Sequence, residues 1–142
     1  MLPHDGIVAC VEMARTNKIK DINETALCVP AEAGKFGPEL EFELNRADYT
    51  LGHFSQSFEF STVGAWVATR STEQNSTNHG KIEDLTIGLE IVTPNGSVNI
   101  PAGTHKACGP DIKNIFVGSE CLLGIISEAT LKIAKLPQTK SM

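Results

Sequence analysis

No stretch of this chain approaches the roughly 18 consecutive apolar residues that a membrane-spanning helix needs. The opening Met1-Leu2-Pro3-His4-Asp5-Gly6 lacks the basic and apolar regions of a secretory signal. The expected compartment is the cytoplasm. A peroxisomal address would require a longer native chain, because Lys140-Ser141-Met142 is not an S-K-L ending. Without a secretory signal, the N-x-[ST] triplets at Asn23, Asn75 and Asn95 read as chance. Positive charge is scarce: Lys plus Arg number 12 against 17 Asp plus Glu, for a net charge of −5. Proteins built to hold phosphate backbones are normally basic. Nucleic acid and anionic membranes are therefore disfavoured as partners. A small anion remains admissible, since backbone amides can hold it without net positive charge.

Cysteine is sparse too. Cys10, Cys28, Cys108 and Cys121 include no C-x-x-C pair, and no histidine lies at a ligand spacing from them. A zinc site and a disulfide scaffold are both disfavoured, and the four read as small, buried, reduced hydrophobes. There is no G-x-G-x-x-G after a strand, no G-x-x-x-x-G-K-[ST], no G-x-S-x-G and no H-E-x-x-H. His4, His53, His79 and His105 stand apart. No catalytic residue and no metal ligand can be named.

What remains is 142 residues, 41% hydrophobic, with 12 glycines and 7 prolines. That is one domain's length, enough to bury about two thirds of the unfolded chain's surface. Ile7 to Val11 reads as a buried strand, and Asn17 to Ile22 alternates like a half-exposed one. Ala26 to Ala33 is a further strand, which Pro30 places at a sheet edge. After the break at Gly34 and Gly37, Pro38 opens a helix carrying Leu40, Phe42 and Leu44, with Glu39, Glu41 and Glu43 at its positive end. Ser61 to Thr72 reads as a second helix, capped by Ser61 or Thr62, with Val63, Trp66 and Val67 on one face. Asn75 to Gly80 is loop-like. Leu85 to Val92 and Ser97 to Ile100 form a hairpin around Pro94-Asn95-Gly96. Ile112 to Val117 is a short helix, and Leu122 to Ile133 a last strand. This order is a mixed α/β arrangement with a hairpin, not a purely parallel doubly wound sheet.

Three segments could carry chemistry. In Gln56 to Trp66, hydroxyls and small residues gather where a loop enters a helix, a place with free backbone N–H groups suited to phosphate. An ordinary serine-rich cap would look the same. In Thr69-Arg70-Ser71-Thr72, Arg70 has either a phosphate or a surface carboxylate as partner. In Gly118 to Gly124, two glycines flank a turn into a strand and allow close backbone approach to a flat ligand. Cys121 sits beside Leu122 and Leu123, which point to an inert thiol with a raised pKa.

Taken together, the spaced segments are more specific. They are Phe58-Glu59-Phe60-Ser61-Thr62-Val63-Gly64-Ala65-Trp66-Val67-Ala68-Thr69-Arg70, Gly80-Lys81-Ile82-Glu83-Asp84-Leu85, Val92-Thr93-Pro94-Asn95-Gly96, Gly109-Pro110-Asp111, and Gly118-Ser119-Glu120 with Leu123-Gly124-Ile125-Ile126. This series resembles the FAD-binding (PCMH-type) domain of the vanillyl-alcohol-oxidase flavoproteins. It is most similar to the alkyldihydroxyacetonephosphate synthase group and its bacterial FAD-linked oxidase relatives. The resemblance spans Ile7 to Ile133. It implies an α+β chain, part of the type 2 FAD-binding fold of two subdomains, with a mixed or antiparallel sheet flanked by helices. Residues 1–134 would be a partial FAD-binding domain and 135–142 a loose tail.

The resemblance also implies the site. FAD would be held by Gln56, Ser57, Phe58, Glu59, Phe60, Ser61 and Thr62; by Thr69, Arg70, Ser71 and Thr72; and by Glu120, Cys121, Leu122, Leu123, Gly124, Ile125 and Ile126. The family's reaction exchanges an acyl for an alkyl chain on dihydroxyacetone phosphate, in ether lipid biosynthesis. The alternatives are a piece of a 2-hydroxy-acid oxidase or dehydrogenase, such as a glycolate or D-lactate enzyme, and a non-catalytic remnant or partner subunit that binds flavin weakly. The family's pyrophosphate loop would precede this sequence, and its substrate-bearing cap would follow it. The isolated chain is therefore expected to show no turnover, to meet a small-molecule substrate only with the cap, and to be compatible with an oligomer or a partner chain. Ala65, Cys121 and Leu122 stand where the family usually has Gly, Gly and Thr. His79 stands for a usual Tyr, and Ser55-Gln56 for a usual Pro-Asp or Pro-Gln. A side chain at 121 costs room if φ is positive there.

Overall fold

The computed structural model describes residues 9–72, 80–103 and 109–136. Four antiparallel strands form the main sheet: β1 (Cys28–Glu32), β5 (Ile125–Lys132), β3 (Thr86–Thr93) and β4 (Gly96–Ile100), in the spatial order β1-β5-β3-β4. The sheet is thus antiparallel within an α+β fold, as expected. Pro30 lies in β1, an outer strand of the sheet. Its missing N–H costs no ladder bond there, and its carbonyl accepts from Lys20 N at 2.9 Å. Asn17 to Ile22 does not form a full strand. It touches β1 through one isolated bridge, Ile19 with Ala31, and Asn23 just beyond it bridges to Cys28.

Helix α1 (Gly37–Arg46) carries Pro38 in its first turn and buries Leu40 and Leu44. Phe42, between them in the sequence, is exposed. Glu41 faces inward, and its carboxylate is buried and accepts from Thr50 Oγ1 and from Leu51 N at 3.1 Å. A buried carboxylate persists only where such donors meet it. Helix α2 (Val63–Thr69) packs on β5 and β1, with Val63, Trp66 and Val67 wholly buried. Thr62 is its cap, its Oγ1 accepting from Ala65 N at 3.4 Å. The helix ends before 72, because Arg70 turns left-handed at φ 52° and closes it.

One-turn helices α3 (Ile82–Leu85) and α4 (Lys113–Phe116) precede β3 and β5. The two-residue strands β2 (Tyr49–Thr50) and β6 (Ala134–Lys135) pair with each other. Neither α3 nor the β2–β6 pair was expected. Elements this short carry no periodicity. The expected boundary after 134 falls inside β6, and Leu136 N donates to Asp48 O at 2.9 Å. The last strand begins at Ile125 rather than Leu122, because the chain turns through 120–124 first. Ala9 to Val11 is exposed and irregular, not a buried strand. The rest of that expected strand lies outside the described residues, as do the loop 73–79, His4, His79, His105, Cys108 and 137–142. The cysteines also differ from expectation: Cys28 is buried in β1, but Cys10 and Cys121 are exposed free thiols. The core is one cluster linking α1, α2 and α3 with β1, β3 and β5.

Candidate functional site

Helix α2 organises the candidate segments. Its N-terminal turn receives 56–62 and its C-terminal turn leads into 69–72. A seven-residue helix separates the two by about 10 Å. The first-turn N–H groups are spent inside the fold. Val63 N donates to Lys35 O at 2.9 Å and Gly64 N to Ala33 O at 2.8 Å. A Cβ on Gly64 would lie 2.7 Å from that of Ala33, so the chain after β1 covers this end closely. The expected free N–H groups for phosphate are therefore absent here.

The hydroxyls of Ser61 and Thr62 are engaged as well. Ser61 Oγ donates to Ser57 O at 2.7 Å and accepts from Trp66 Nε1 at 2.6 Å. Phe58 stacks on Trp66 with ring centres 6.0 Å apart and planes 10° apart, and Phe54 tilts on Phe58. His53, buried, meets Trp66 edge-on at 5.1 Å. What 56–62 leaves open to solvent is Gln56, Ser57, Glu59 and Phe60, the last 84% exposed.

At the other end, distant segments converge. Gly118 N donates to Val67 O and Glu120 N to Ala68 O, both at 2.9 Å. The second satisfies a carbonyl that the end of α2 would otherwise leave bare, and the first adds a donor to Val67 O, which also accepts from Arg70 N at 3.3 Å. The structure thus brings 69–72 and 118–124 together, while 56–62 stays at the opposite end of the helix. Gly118, Glu120, Cys121 and Gly124 all have positive φ. Cys121, at φ 63°, is the position where the resemblance places a glycine. Leu122 is 87% exposed and Leu123 half-exposed, so neither shields the Cys121 thiol as expected. The close approach that Gly124 permits is to β3: a Cβ would lie 2.7 Å from Ile91 Cγ2 and 2.8 Å from Val92 O. Ile125 and Ile126 continue into β5, and Ile126 is buried.

Within the protein, Arg70 pairs with a carboxylate. Its Nε lies 3.1 Å from Glu83 Oε2, and Nη2 donates to Val117 O at 3.1 Å. With Glu83, Asp84, Lys113 and Asn114 it lines a cavity of about 280 Å³. Lys113 is buried, and its Nζ donates to the carbonyls of Glu83 and Thr86, each at 2.7 Å. Burial pushes its pKa below the usual lysine value; nearby Asp111, Asp84 and Glu83 act against that. Glu83 and Lys113 were not singled out from the sequence. Their partners are far away in the chain, so no local spacing announces them. Among the described residues no group of three or more His, Cys, Asp or Glu gathers as a metal site.

The FAD binding domain family matches residues 4–100. The chain belongs to this family. FAD is accordingly its cofactor, and the fold is the type 2 FAD-binding fold. The FAD-binding chain is 39% identical over 135 residues to an alkyldihydroxyacetonephosphate synthase of Dictyostelium discoideum, covering 95% of this chain and 22% of that protein. It is 40% identical to the synthase of Caenorhabditis elegans over 134 residues, 94% of this chain and 22% of that one. A solved alkyldihydroxyacetonephosphate synthase structure superposes with a TM-score of 0.83 at 38% identity, over 89% of this chain and 23% of that chain. A D-lactate dehydrogenase and a glycolate oxidase subunit match at 30% and 32% identity. The chain therefore spans less than a quarter of the length of the synthases it matches. It is an FAD-binding portion resembling that enzyme. No helix among the described residues is long and apolar enough to cross a membrane.

Proposed function

We propose that this chain contacts FAD through 56–62, 69–72 and 120–126, as the flavin-holding part of an enzyme that makes alkyldihydroxyacetone phosphate. The observation that carries the proposal is the docking of 118–120 on the C-terminal turn of α2, which puts two of the three segments side by side. The residues present fit the cofactor. FAD combines flat rings with an anionic pyrophosphate. Phe60, Leu122 and Leu123 offer exposed apolar surface to rings, and Arg70, about half exposed, offers cationic donors to phosphate. Gln56 and Ser57 offer exposed polar groups to the sugar and ring edges.

Because the first-turn N–H groups of α2 are already spent, the contacts from 56–62 come from the exposed turn rather than from the helix end. When bound, FAD supplies the redox or adduct chemistry, and the protein supplies binding and orientation. A 2-hydroxy-acid oxidase or dehydrogenase is the weaker reading, because those relatives match at lower identity.

The test is visible absorbance after incubation with excess FAD and desalting. A retained flavin spectrum that Arg70→Ala diminishes supports the reading. A folded but colourless chain overturns it. Turnover by this chain alone would overturn the expectation that its own residues include no catalytic group.

A further inference from the structure

We infer that Glu83 is a positioning residue for the cofactor, acting through Arg70. This rests on the reading of 69–72 as a cofactor-contacting segment. Arg70 leaves α2 in the left-handed conformation, and its guanidinium is then fixed from three sides. Glu83 Oε2 lies 3.1 Å from Nε, Val117 O accepts from Nη2, and Gly118 packs against the side chain. A Cβ on Gly118 would sit 3.1 Å from Nε and 3.2 Å from the Arg70 Cβ. Such a flanking residue leaves the guanidinium little freedom.

The Glu83 contact is ionic. Its Oε2 is buried and accepts no aligned hydrogen bond among the described residues. Only one of the five guanidinium N–H groups is therefore spent on a hydrogen bond among the described residues, and the side chain remains 49% exposed. A free arginine gives up rotamer entropy when a ligand immobilises it. A guanidinium held in place beforehand is spared much of that loss, which favours binding.

Glu83 is itself anchored. Lys113 reaches from α4, and its buried ammonium holds the carbonyls of Glu83 and Thr86 at either end of the α3–β3 junction. The relay runs from Lys113 to α3, from α3 to Glu83, and from Glu83 to the guanidinium. The opposing possibility is that Glu83 competes with the anionic cofactor for Arg70. The two differ in sign: positioning predicts weaker FAD binding when the carboxylate is neutralised, and competition predicts tighter binding.

The experiment is a double-mutant cycle on the purified chain, with FAD affinity read by flavin fluorescence on titration. The variants are Arg70→Ala, Glu83→Gln and the pair together. Loss of Arg70 should weaken FAD binding roughly tenfold, the usual worth of a charge-assisted contact. Glu83→Gln alone should weaken it several-fold, and should add nothing once Arg70 is gone. Glu83→Asp, which keeps the charge, should recover part of the loss. Lys20→Met, which breaks the remote Lys20–Glu128 pair, should leave FAD affinity unchanged. Tighter or unchanged binding in Glu83→Gln overturns the inference while the cofactor reading stands. So does an equal loss with and without Arg70. If Arg70→Ala binds FAD like the wild type, the contact reading of 69–72 falls and the inference with it. If the wild type binds no FAD, the cofactor reading fails at its root. A thermal midpoint for each variant separates these outcomes from unfolding.

Discussion

The main-chain N–H of Glu120 donates to the carbonyl oxygen of Ala68 at 2.9 Å, joining the turn before β5 to the last turn of α2. The bond satisfies a helix-end carbonyl. It also fixes where Cys121, Leu122 and Leu123 emerge relative to Arg70. The geometry it imposes has a cost, because Glu120 and Cys121 are both left-handed.

That cost can be measured at Cys121. A non-glycine residue with φ near 60° is disfavoured by roughly 1–2 kcal/mol, partly offset by the greater unfolded-state freedom of glycine. Cys121→Gly is therefore expected to stabilise the fold by about 0.5–1 kcal/mol. Urea unfolding checks it, and a lower midpoint would show that the Cys121 side chain makes a compensating contact.

Gly124 should behave in the opposite way. Its added Cβ would press on Ile91 Cγ2 and on the Val92 carbonyl, so Gly124→Ala should cost more than about 2 kcal/mol through overpacking against β3. Gly109→Ala is the control. Its φ is also positive, but nothing among the described residues lies within 4 Å of the new Cβ, so its loss should stay near 1 kcal/mol. Equal losses at the two sites would refute the packing account of Gly124.

Trp66 is the only tryptophan, and it is buried with its indole N–H on Ser61 Oγ. Trp66→Phe removes that bond and leaves unfilled volume beside Phe58 and His53. A loss of about 2–3 kcal/mol is expected in chemical denaturation. Loss of the blue-shifted native emission on unfolding of the wild type gives an independent readout of the same core.

Two lysines should give opposite pH signatures. Burial lowers the folded pKa of Lys113 below 10.5, so between that folded value and 10.5 the unfolded chain binds more protons and stability rises with pH. Lys113→Met should abolish this rise. Lys20 is raised instead, chiefly by its hydrogen bond to Glu128, so its contribution is complete below 10.5 and is lost as pH climbs through the folded value. Denaturant midpoints of wild type, Lys113→Met and Lys20→Met across about pH 8 to 11 separate the two. A wild-type and Lys113→Met pair with parallel pH profiles would refute the Lys113 assignment.

Much of the fold is legible in the residue pattern. Val63, Trp66 and Val67 at helical spacing mark α2, Pro38 marks the start of α1, and Pro94-Asn95-Gly96 marks the β3–β4 hairpin. Pro30 correctly signals an outer strand. The burial of Glu41 is not legible, because the donors that draw it inward, Thr50 Oγ1 and Leu51 N, come from a different segment. The three candidate segments are legible as stretches. Their relation to one another is not.

The sequence by itself determined the longer elements, α1, α2 and the β3–β4 hairpin with its antiparallel character, and the family, because these follow from spacing, turn chemistry and motif order within short windows. Only the tertiary structure decided that the first turn of α2 is sealed by Ala33 and Lys35, that Arg70 meets Glu83, and that Lys113 holds α3. Each of these joins groups from separate elements. Their formation depends on how the sheet and helices pack, and no local propensity encodes that.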